Sequence, residues 1–112
     1  MNKITIITGE QGIGKSQKAW ELVQGKKFHY AESSDLHSAV RCMPIDTEVL
    51  IIEDVWLPRH LIRILNSPTV NVRRPYQINM EEISVPDLVI TTMVVKRELE
   101  KIHSTNVTFI HL

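Results

Sequence analysis

Cysteine, glycine and aromatic residues are all scarce in this chain of 112 residues. The single cysteine, Cys42, excludes an intramolecular disulfide, and its neighbours Val40 and Met43 predict an ordinary buried thiol rather than a catalytic one. No apolar run reaches the roughly 18 residues of a membrane-spanning helix, and the first strand pattern begins too close to the amino terminus for a signal peptide to precede it. We therefore expect a cytoplasmic protein with no membrane partner.

An excess of charge of either sign is also missing, because thirteen basic residues balance thirteen acidic ones. No global field therefore points to a nucleic acid or a membrane as a partner. The charges are nevertheless unevenly spread: positions 59–74 carry four arginines and no carboxylate, whereas positions 32–54 are mainly acidic. With 43% apolar residues the chain can build one core, and we predict a single domain over residues 1–112.

Three of the four glycines stand within one short segment. Residues 9–16 read Gly-Glu-Gln-Gly-Ile-Gly-Lys-Ser, an unbroken GxxxxGK(S/T) phosphate-binding loop, directly after the apolar run of residues 4–8. A β-branched strand, a glycine turn and a helix start in this order aim backbone N–H groups and a helix N-terminus at a polyphosphate. The segment therefore predicts a nucleotide site, with ATP or another nucleoside triphosphate as the ligand.

Each position in this segment has a predicted task. The glycines allow backbone angles and close approaches that a side chain would block, Lys15 reaches the β- and γ-phosphates, and the Ser16 hydroxyl ligates Mg²⁺. The predicted nucleotide-binding residues are Gly9, Glu10, Gln11, Gly12, Ile13, Gly14, Lys15, Ser16 and Gln17. The five histidines contain no HxxxH pair, so we expect no transition-metal site.

Strand and helix patterns alternate over the rest of the chain, which predicts an α/β domain with a parallel sheet. We interpret it as the three-layer P-loop NTPase fold with a β-hairpin insertion. Trp20 and Trp56 are predicted core residues, and Arg74-Pro75 is predicted to turn the hairpin, whose second strand resumes at Tyr76. The predicted strands are residues 4–8, 27–30, 49–52, 88–92 and 107–112, the predicted helices are 15–24, 35–41, 58–66 and 96–103, and the predicted hairpin is 69–83.

Two acids, Glu53 and Asp54, follow the wholly apolar run of residues 49–52, which is typical of a strand covered on both faces. Open α/β sheets bind ligands at the carboxyl ends of their strands, so this pair is predicted to lie beside the phosphate-binding loop. Glu53 can then hold Mg²⁺, directly or through water, and Asp54 can orient or deprotonate the attacking water. The alternative is a pair of strand-end carboxylates that cap the following helix.

The order of these motifs resembles the motor core of superfamily III helicases, the viral and phage-type replication ATPases. The resemblance covers nearly the whole chain and extends over Ile51-Ile52-Glu53-Asp54, a helix containing residues 61–65, the segment Val70-Asn71-Val72-Arg73-Arg74, and residues 85–92, which end in Thr91-Thr92. It implies a Walker A loop at residues 9–16, a Walker B pair at Glu53 and Asp54, a DNA-facing hairpin tip at Arg73 and Arg74, and sensor residues at Thr91 and Thr92.

The resemblance also implies an activity, that of a Mg²⁺-dependent, helicase-like ATPase associated with DNA replication of a phage or mobile element. The family's sensor asparagine falls at Met93, so Thr92 would take its place. Arg97 is the candidate arginine finger, supplied by a neighbouring subunit of a homo-oligomeric ring, and the alternative is a solvated helix charge. The predicted catalytic residues are Lys15, Glu53, Asp54, Thr92 and Arg97.

The hairpin arginines have two interpretations. Tyr76 beside Arg73 and Arg74 favours single-stranded DNA as a partner, because an aromatic ring next to cations can stack a base. The alternative is that the arginines protect an exposed sheet edge from aggregation.

Two other functions stay open for the whole chain. Met93 and the small size favour a non-hydrolysing, nucleotide-responsive scaffold or accessory protein. A small-molecule or nucleotide kinase shares the phosphate-binding loop, but it needs a lid bearing arginines and an acceptor pocket, and the chain has no spare segment for them.

Overall fold

The computed structural model describes residues 2–10, 12–31, 35–55, 58–66, 69–73, 78–93 and 106–112. Strands and helices alternate as predicted for an α/β domain, and the predicted helix at 96–103 lies outside the described residues. The elements are β1 (Ile4–Thr8), α1 (Lys15–Leu22), β2 (Phe28–Tyr30), α2 (Leu36–Cys42), β3 (Val49–Val55), α3 (Pro58–Leu65), β4 (Thr69–Val72), β5 (Glu81–Ser84), β6 (Asp87–Thr92) and β7 (Val107–His111). None of the helices in the described part of the chain is long and apolar enough to cross a membrane.

Five strands form one sheet in the order β2-β3-β6-β1-β7, and every neighbouring pair in it is parallel. β6 lies between β1 and β3, although it follows both in the chain. Thr92 of β6 is consequently in register with Thr8 on one side and with Val55 on the other. The carboxyl ends of β1, β3 and β6 therefore meet at one edge of the sheet.

The apolar runs of the central strands are buried because helices cover both faces of the sheet. Alternate side chains of β3 point to opposite faces. Leu50 and Ile52 join the core packed against α2 and α3, whereas Val49 and Ile51 join Ala19 of α1 and Val23, the residue that follows α1. We call these the α2–α3 face and the α1 face of the sheet. The predicted inner positions of α2 are all buried in the first of these cores, namely Leu36, Ala39, Val40 and Met43.

A separate two-stranded sheet pairs β4 with β5 antiparallel, which confirms the predicted hairpin. Its first strand alternates as expected, with Val72 buried and Asn71 exposed. The hairpin lies against α2: a ring nitrogen of His37 is 3.1 Å from the Asn71 carbonyl oxygen, and Arg41 Nε donates to the Arg73 carbonyl oxygen at 2.8 Å. Val72 and Val85 pack into the core of the α2–α3 face.

The second strand of the hairpin begins later than predicted. The sequence pattern favours a start at Tyr76, but the strand begins at Glu81, where pairing with Val72 starts. Ile78 and Met80 belong to the connection and are 88% and 58% exposed. The apolar spacing of these residues is that of a strand, yet they have no core to face.

Two predicted core positions are exposed instead. Trp20 follows the buried Ala19 on α1, and one residue turns a helix by about 100°, so its side chain lies beside the core, against Phe28 and Tyr30 of β2, and is 47% exposed. Cys42 lies two residues beyond the buried Val40 on α2, on the opposite side of that helix, and it is exposed as well. The predictions of a core tryptophan at 20 and of a buried thiol are therefore wrong, and Trp56 lies outside the described residues.

Candidate functional site

The glycine-rich segment joins the end of β1 to the first residue of α1. Gly12 and Gly14 have φ angles of 83° and 99°, in the left-handed region that glycine tolerates best. Gly9 is needed for a different reason, because a Cβ atom there would lie 2.9 Å from Ile13 Cγ2 and 3.3 Å from the Leu112 carbonyl oxygen. The segment therefore depends on its glycines both for its turn and for its close packing.

The Lys15 side chain is buried although it carries a charge. Its Nζ atom donates hydrogen bonds to the carbonyl oxygens of Gly9 at 2.7 Å and Glu10 at 3.2 Å. A buried ammonium is tolerated only when it is hydrogen-bonded, and these two carbonyls supply that compensation. The cation is thus held against the backbone of the glycine-rich segment.

The start of α1 also carries positive potential. Gly14 caps this helix and has no side chain to accept hydrogen bonds from the first N–H groups, and the first turn contains no acidic residue. The aligned peptide dipoles leave a partial positive charge at such an end, which favours an anion. Ser16 and Gln17, in the first turn, are exposed, whereas Gln11 lies outside the described residues.

A β-bulge interrupts β3 immediately before the strand ends. Ile52 is in register with Ile90, and Val55 is in register with Thr92, so β3 has one residue more than β6 between these pairs. At the bulge Asp54 adopts a φ of 56°, which is uncommon for a residue other than glycine. The bulge turns Glu53 and Asp54 out of the regular strand geometry.

Two threonines of β6 hold this bulge. The Thr91 hydroxyl accepts a hydrogen bond from the Asp54 backbone N–H at 3.1 Å, and the Thr92 hydroxyl donates to the Val55 carbonyl oxygen at 2.5 Å. Both threonine side chains are buried. The sequence predicts these residues as sensors, and in the structure their hydroxyls contact the backbone on either side of the bulge.

The two acids of β3 have different surroundings. Asp54 is exposed, whereas Glu53 is half-buried, and its buried Oε1 atom has no hydrogen-bond partner within the described residues. Burial of the Tyr30 phenol and its interaction with the neighbouring Glu53 and Asp54 carboxylates raise the pKa of Tyr30 above its usual value. A partly buried carboxylate with one unsatisfied oxygen is suited to receive a cation or a water.

The predicted site residues fall into three groups. The glycine-rich segment, the Glu53–Asp54 pair and Thr91–Thr92 come together at one edge of the sheet, where β1 and β3 are two strand spacings apart, about 10 Å. Arg73 does not join them, because the hairpin packs on the α2–α3 face and α1 lies on the other. Arg74, Tyr76 and Arg97 lie outside the described residues, and Met93, just beyond β6, is 51% exposed.

Sequence reasoning missed two features at this edge. The sequence pattern predicts a short strand that includes Tyr30 but no function for this residue. Phe28 and Tyr30 are two positions apart in that strand, which already places both side chains on one face. The Thr8 hydroxyl lies 2.9 Å from Nδ1 of His111, next to the glycine-rich segment. Nothing in the local pattern of the sequence indicates this pairing, since the residues are 103 positions apart.

Comparison with known proteins shows a shared fold and goes no further. No protein-family model and no curated protein matches the chain. Among solved structures, one described as the A form apo structure of the NrS-1 C-terminal region is similar, with a TM-score of 0.54 and 15% sequence identity. The match covers 97% of this chain and 28% of that one, so the present chain spans little more than a quarter of its length.

The contact between Thr92 and Val55 generates a stability prediction. Replacing Thr92 by valine keeps the volume but leaves the buried Val55 carbonyl without this donor, which should lower the free energy of unfolding by about 1–3 kcal/mol. Thr92→Ser keeps the hydroxyl and should cost less, although it removes a methyl group. Urea unfolding followed by circular dichroism measures both variants. A valine variant as stable as the wild type would show that the hydroxyl does not hold the bulge.

Proposed function

We propose that this chain is a Mg²⁺-dependent nucleoside triphosphatase that binds ATP at the glycine-rich segment, with the P-loop NTPase fold. The observation that carries the proposal is that three features lie together at one sheet edge. They are a buried lysine ammonium, a helix N-terminus without a side-chain cap and a carboxylate with an unsatisfied oxygen. The first two features favour a polyphosphate, and the third favours the cation that accompanies it. The crossover that places β6 between β1 and β3 supports the fold assignment.

The phosphate groups would be bound by the chain's own backbone and by Lys15. The backbone N–H groups from Gly12 to Ser16 lie at or next to the start of α1, which is the positive end of the helix and stabilises an anion. Lys15 Nζ already lies against the Gly9 and Glu10 carbonyls, so a short movement of a flexible side chain would bring it to a phosphate oxygen. Nucleotide binding would thus replace the two carbonyl acceptors of Lys15 Nζ with an anionic phosphate oxygen.

Ser16 and Glu53 are the residues that would hold Mg²⁺. Both offer hard oxygen ligands, and Mg²⁺ in nucleotide sites usually takes few protein ligands together with phosphates and waters. The described residues contain no cluster of three or more histidine, cysteine or carboxylate side chains that could hold a metal ion. When bound, Mg²⁺ neutralises charge on the β- and γ-phosphates.

Asp54 is the residue that would act on the attacking water. Its carboxylate is exposed at the sheet edge, and the bulge fixes the backbone from which it projects. It would orient the water and accept its proton as the γ-phosphoryl group leaves ADP. The proposal also includes Thr92 as a sensor residue and Arg97 as an arginine finger. A neighbouring subunit of a homo-oligomer would supply Arg97.

Two alternatives share the binding step but differ in chemistry. Met93 replaces the sensor asparagine and Thr92 is fully buried, which favours a scaffold that binds nucleotide without turnover. A kinase would need an acceptor pocket with cationic residues around it. By its resemblance to superfamily III helicases we place the activity in DNA replication of a phage or mobile element.

Single-stranded DNA is a second proposed partner, and the hairpin favours it. Arg73 is exposed at the end of β4, and the Arg41 guanidinium lies against its backbone, so two arginines meet there. Glu81 and Glu82 pair with Val72 and Asn71, so two carboxylates also lie near this end of the hairpin. A phosphate backbone would be bound there by the two arginines.

The acid pair gives the test that separates binding from chemistry. Asp54→Asn should lower ATP turnover about a hundredfold or more at unchanged nucleotide affinity, because a water-orienting carboxylate acts mainly in the transition state. Asparagine also tolerates the positive φ of this position, so the backbone should not change. Glu53→Gln should in addition raise the Mg²⁺ concentration needed for binding. Phosphate release and nucleotide titrations measure the two effects.

Asp46→Asn is the matched control for these variants, since Asp46 is an exposed carboxylate paired with Lys27 at 3.1 Å and lies outside the site. It should leave turnover unchanged. Wild-type turnover that survives Asp54→Asn would remove Asp54 from the mechanism. Mg²⁺-dependent binding without turnover in the wild type would support the scaffold, and acceptor-dependent transfer would support the kinase.

The hairpin proposal predicts a change in salt dependence. Replacing Arg73 and Arg74 by alanine should flatten the slope of log affinity against log salt by roughly 1.4, about 0.7 for each phosphate that is no longer neutralised. Arg59→Ala with Arg63→Ala, on exposed positions of α3, removes the same charge elsewhere and should change the slope less. Fluorescence anisotropy with a labelled oligonucleotide measures the slope. Equal slopes in both double variants would leave the hairpin arginines as edge-protecting charges.

A further inference from the structure

A histidine lies beside the glycine-rich segment, on the side away from the acids. β7 is the neighbour of β1 opposite β6, and His111 of β7 is in register with Thr8, the residue before Gly9. Nδ1 of the His111 ring lies 2.9 Å from the Thr8 hydroxyl oxygen. Thr8 is buried, whereas His111 is exposed. The end of β7 therefore places an accessible imidazole next to the start of the proposed phosphate-binding segment.

The contact with Thr8 determines which ring nitrogen can meet a ligand. A hydroxyl can donate to Nδ1 or accept from it, so both neutral tautomers of the His111 imidazole fit this contact. The hydrogen-bonding directions of the two ring nitrogens diverge, and Nε2 is consequently directed away from Thr8. Nε2 donates in one tautomer and accepts in the other, and a sugar hydroxyl can partner either form.

Apolar atoms surround the same end of the segment. Gly9 packs so closely that an added Cβ atom would lie 2.9 Å from Ile13 Cγ2 and 3.4 Å from Leu112 Cβ. The Leu112 N–H donates to the Thr8 carbonyl oxygen at 2.9 Å, which fixes the end of β7 against the segment. Ile13 is 47% exposed. Small-molecule sites combine such apolar surface with a few polar groups, and His111 supplies a polar group here.

The proposed metal site gives the triphosphate a direction. Glu53 and Asp54 lie at the end of β3, which is separated from β1 by β6. Mg²⁺ bridges the β- and γ-phosphates in nucleoside triphosphatases, so the γ-phosphate would lie on the β3 side of β1. The nucleoside is attached to the other end of the phosphate chain. It would therefore leave the glycine-rich segment on the β7 side, where His111 lies.

We propose that His111 is a specificity-determining residue for the nucleoside, and that its Nε2 atom hydrogen-bonds a hydroxyl of the ribose. This inference rests on the proposed binding of Mg-ATP at the glycine-rich segment. The ribose is the first group beyond the α-phosphate, and adjacent strands are only about 4.8 Å apart, so the end of β7 reaches the sugar rather than the base. The ligand class is thus a ribonucleoside triphosphate.

His111→Asn tests the proposal, because the shorter amide can keep the contact with Thr8 but has no atom at the position of Nε2. Calorimetry in Mg²⁺ measures the affinities for ATP, 2′,3′-dideoxy-ATP and inorganic tripolyphosphate. The wild type should bind ATP about tenfold more tightly than the dideoxy analogue, as expected for one hydrogen bond. In His111→Asn this preference should disappear through a loss of ATP affinity, while the affinity for tripolyphosphate stays unchanged.

His37→Asn is the matched control, since it makes the same exchange at an exposed histidine on α2, whose ring contacts the Asn71 carbonyl oxygen. It should leave all three affinities unchanged. In His111→Gln the longer amide reaches the position of Nε2, so this variant should keep more of the preference than His111→Asn. Urea midpoints of all variants show whether the fold itself has changed.

The other outcomes separate this inference from the function on which it rests. A wild type that binds ATP and its dideoxy analogue equally would overturn the sugar contact, and this comparison requires no substitution. Equal losses for ATP and tripolyphosphate in His111→Asn would overturn it as well, because they would mean that His111 only supports the segment through Thr8. A wild type that binds neither ATP nor tripolyphosphate would overturn the proposed function and this inference together.

Discussion

The parallel pairing of β6 with β1 on one side and with β3 on the other is the constraint on which the candidate site depends. Without this crossover, the glycine-rich segment after β1 and the acids at the end of β3 would lie at unrelated places. Thr92 is in register with the last residues of both neighbouring strands, and its neighbour Thr91 accepts the Asp54 N–H. One strand therefore aligns the two halves of the site and also fixes the bulge that presents the acids.

Features encoded within a few neighbouring residues could be predicted from the sequence. Residues 9–16 specify their turn locally, because Gly12 and Gly14 adopt φ angles that other residues avoid. The strand at residues 49–52 could be predicted as well, because an unbroken apolar run is stable only in a strand whose two faces are both covered. The placement of Glu53 near the segment follows from a general rule about strand ends rather than from any residue pair.

Features that depend on distant residues or on a helical angle could not be predicted in this way. The extra residue of the β3 bulge is defined only by its partner strand, and its threonine contacts span 37 positions. Trp20 has the apolar character of a core residue, but it is not among the buried positions of α1 and packs against the rings of Phe28 and Tyr30 instead. Tyr30 is a similar case, because its place near the end of β3 follows from the register of two strands.

Nucleotide-induced stabilisation tests the central claim, that the segment around Lys15 binds ATP, most directly. With Mg-ATP at a hundredfold over its dissociation constant, the wild type should gain about 2.7 kcal/mol, a rise of several degrees in Tm by scanning calorimetry. Lys15→Ala should lose most of this shift relative to its own ligand-free form, and Lys18→Ala, one turn further along the outer part of α1, should keep it. Equal shifts in all three proteins, or none in the wild type, would contradict nucleotide binding at this segment.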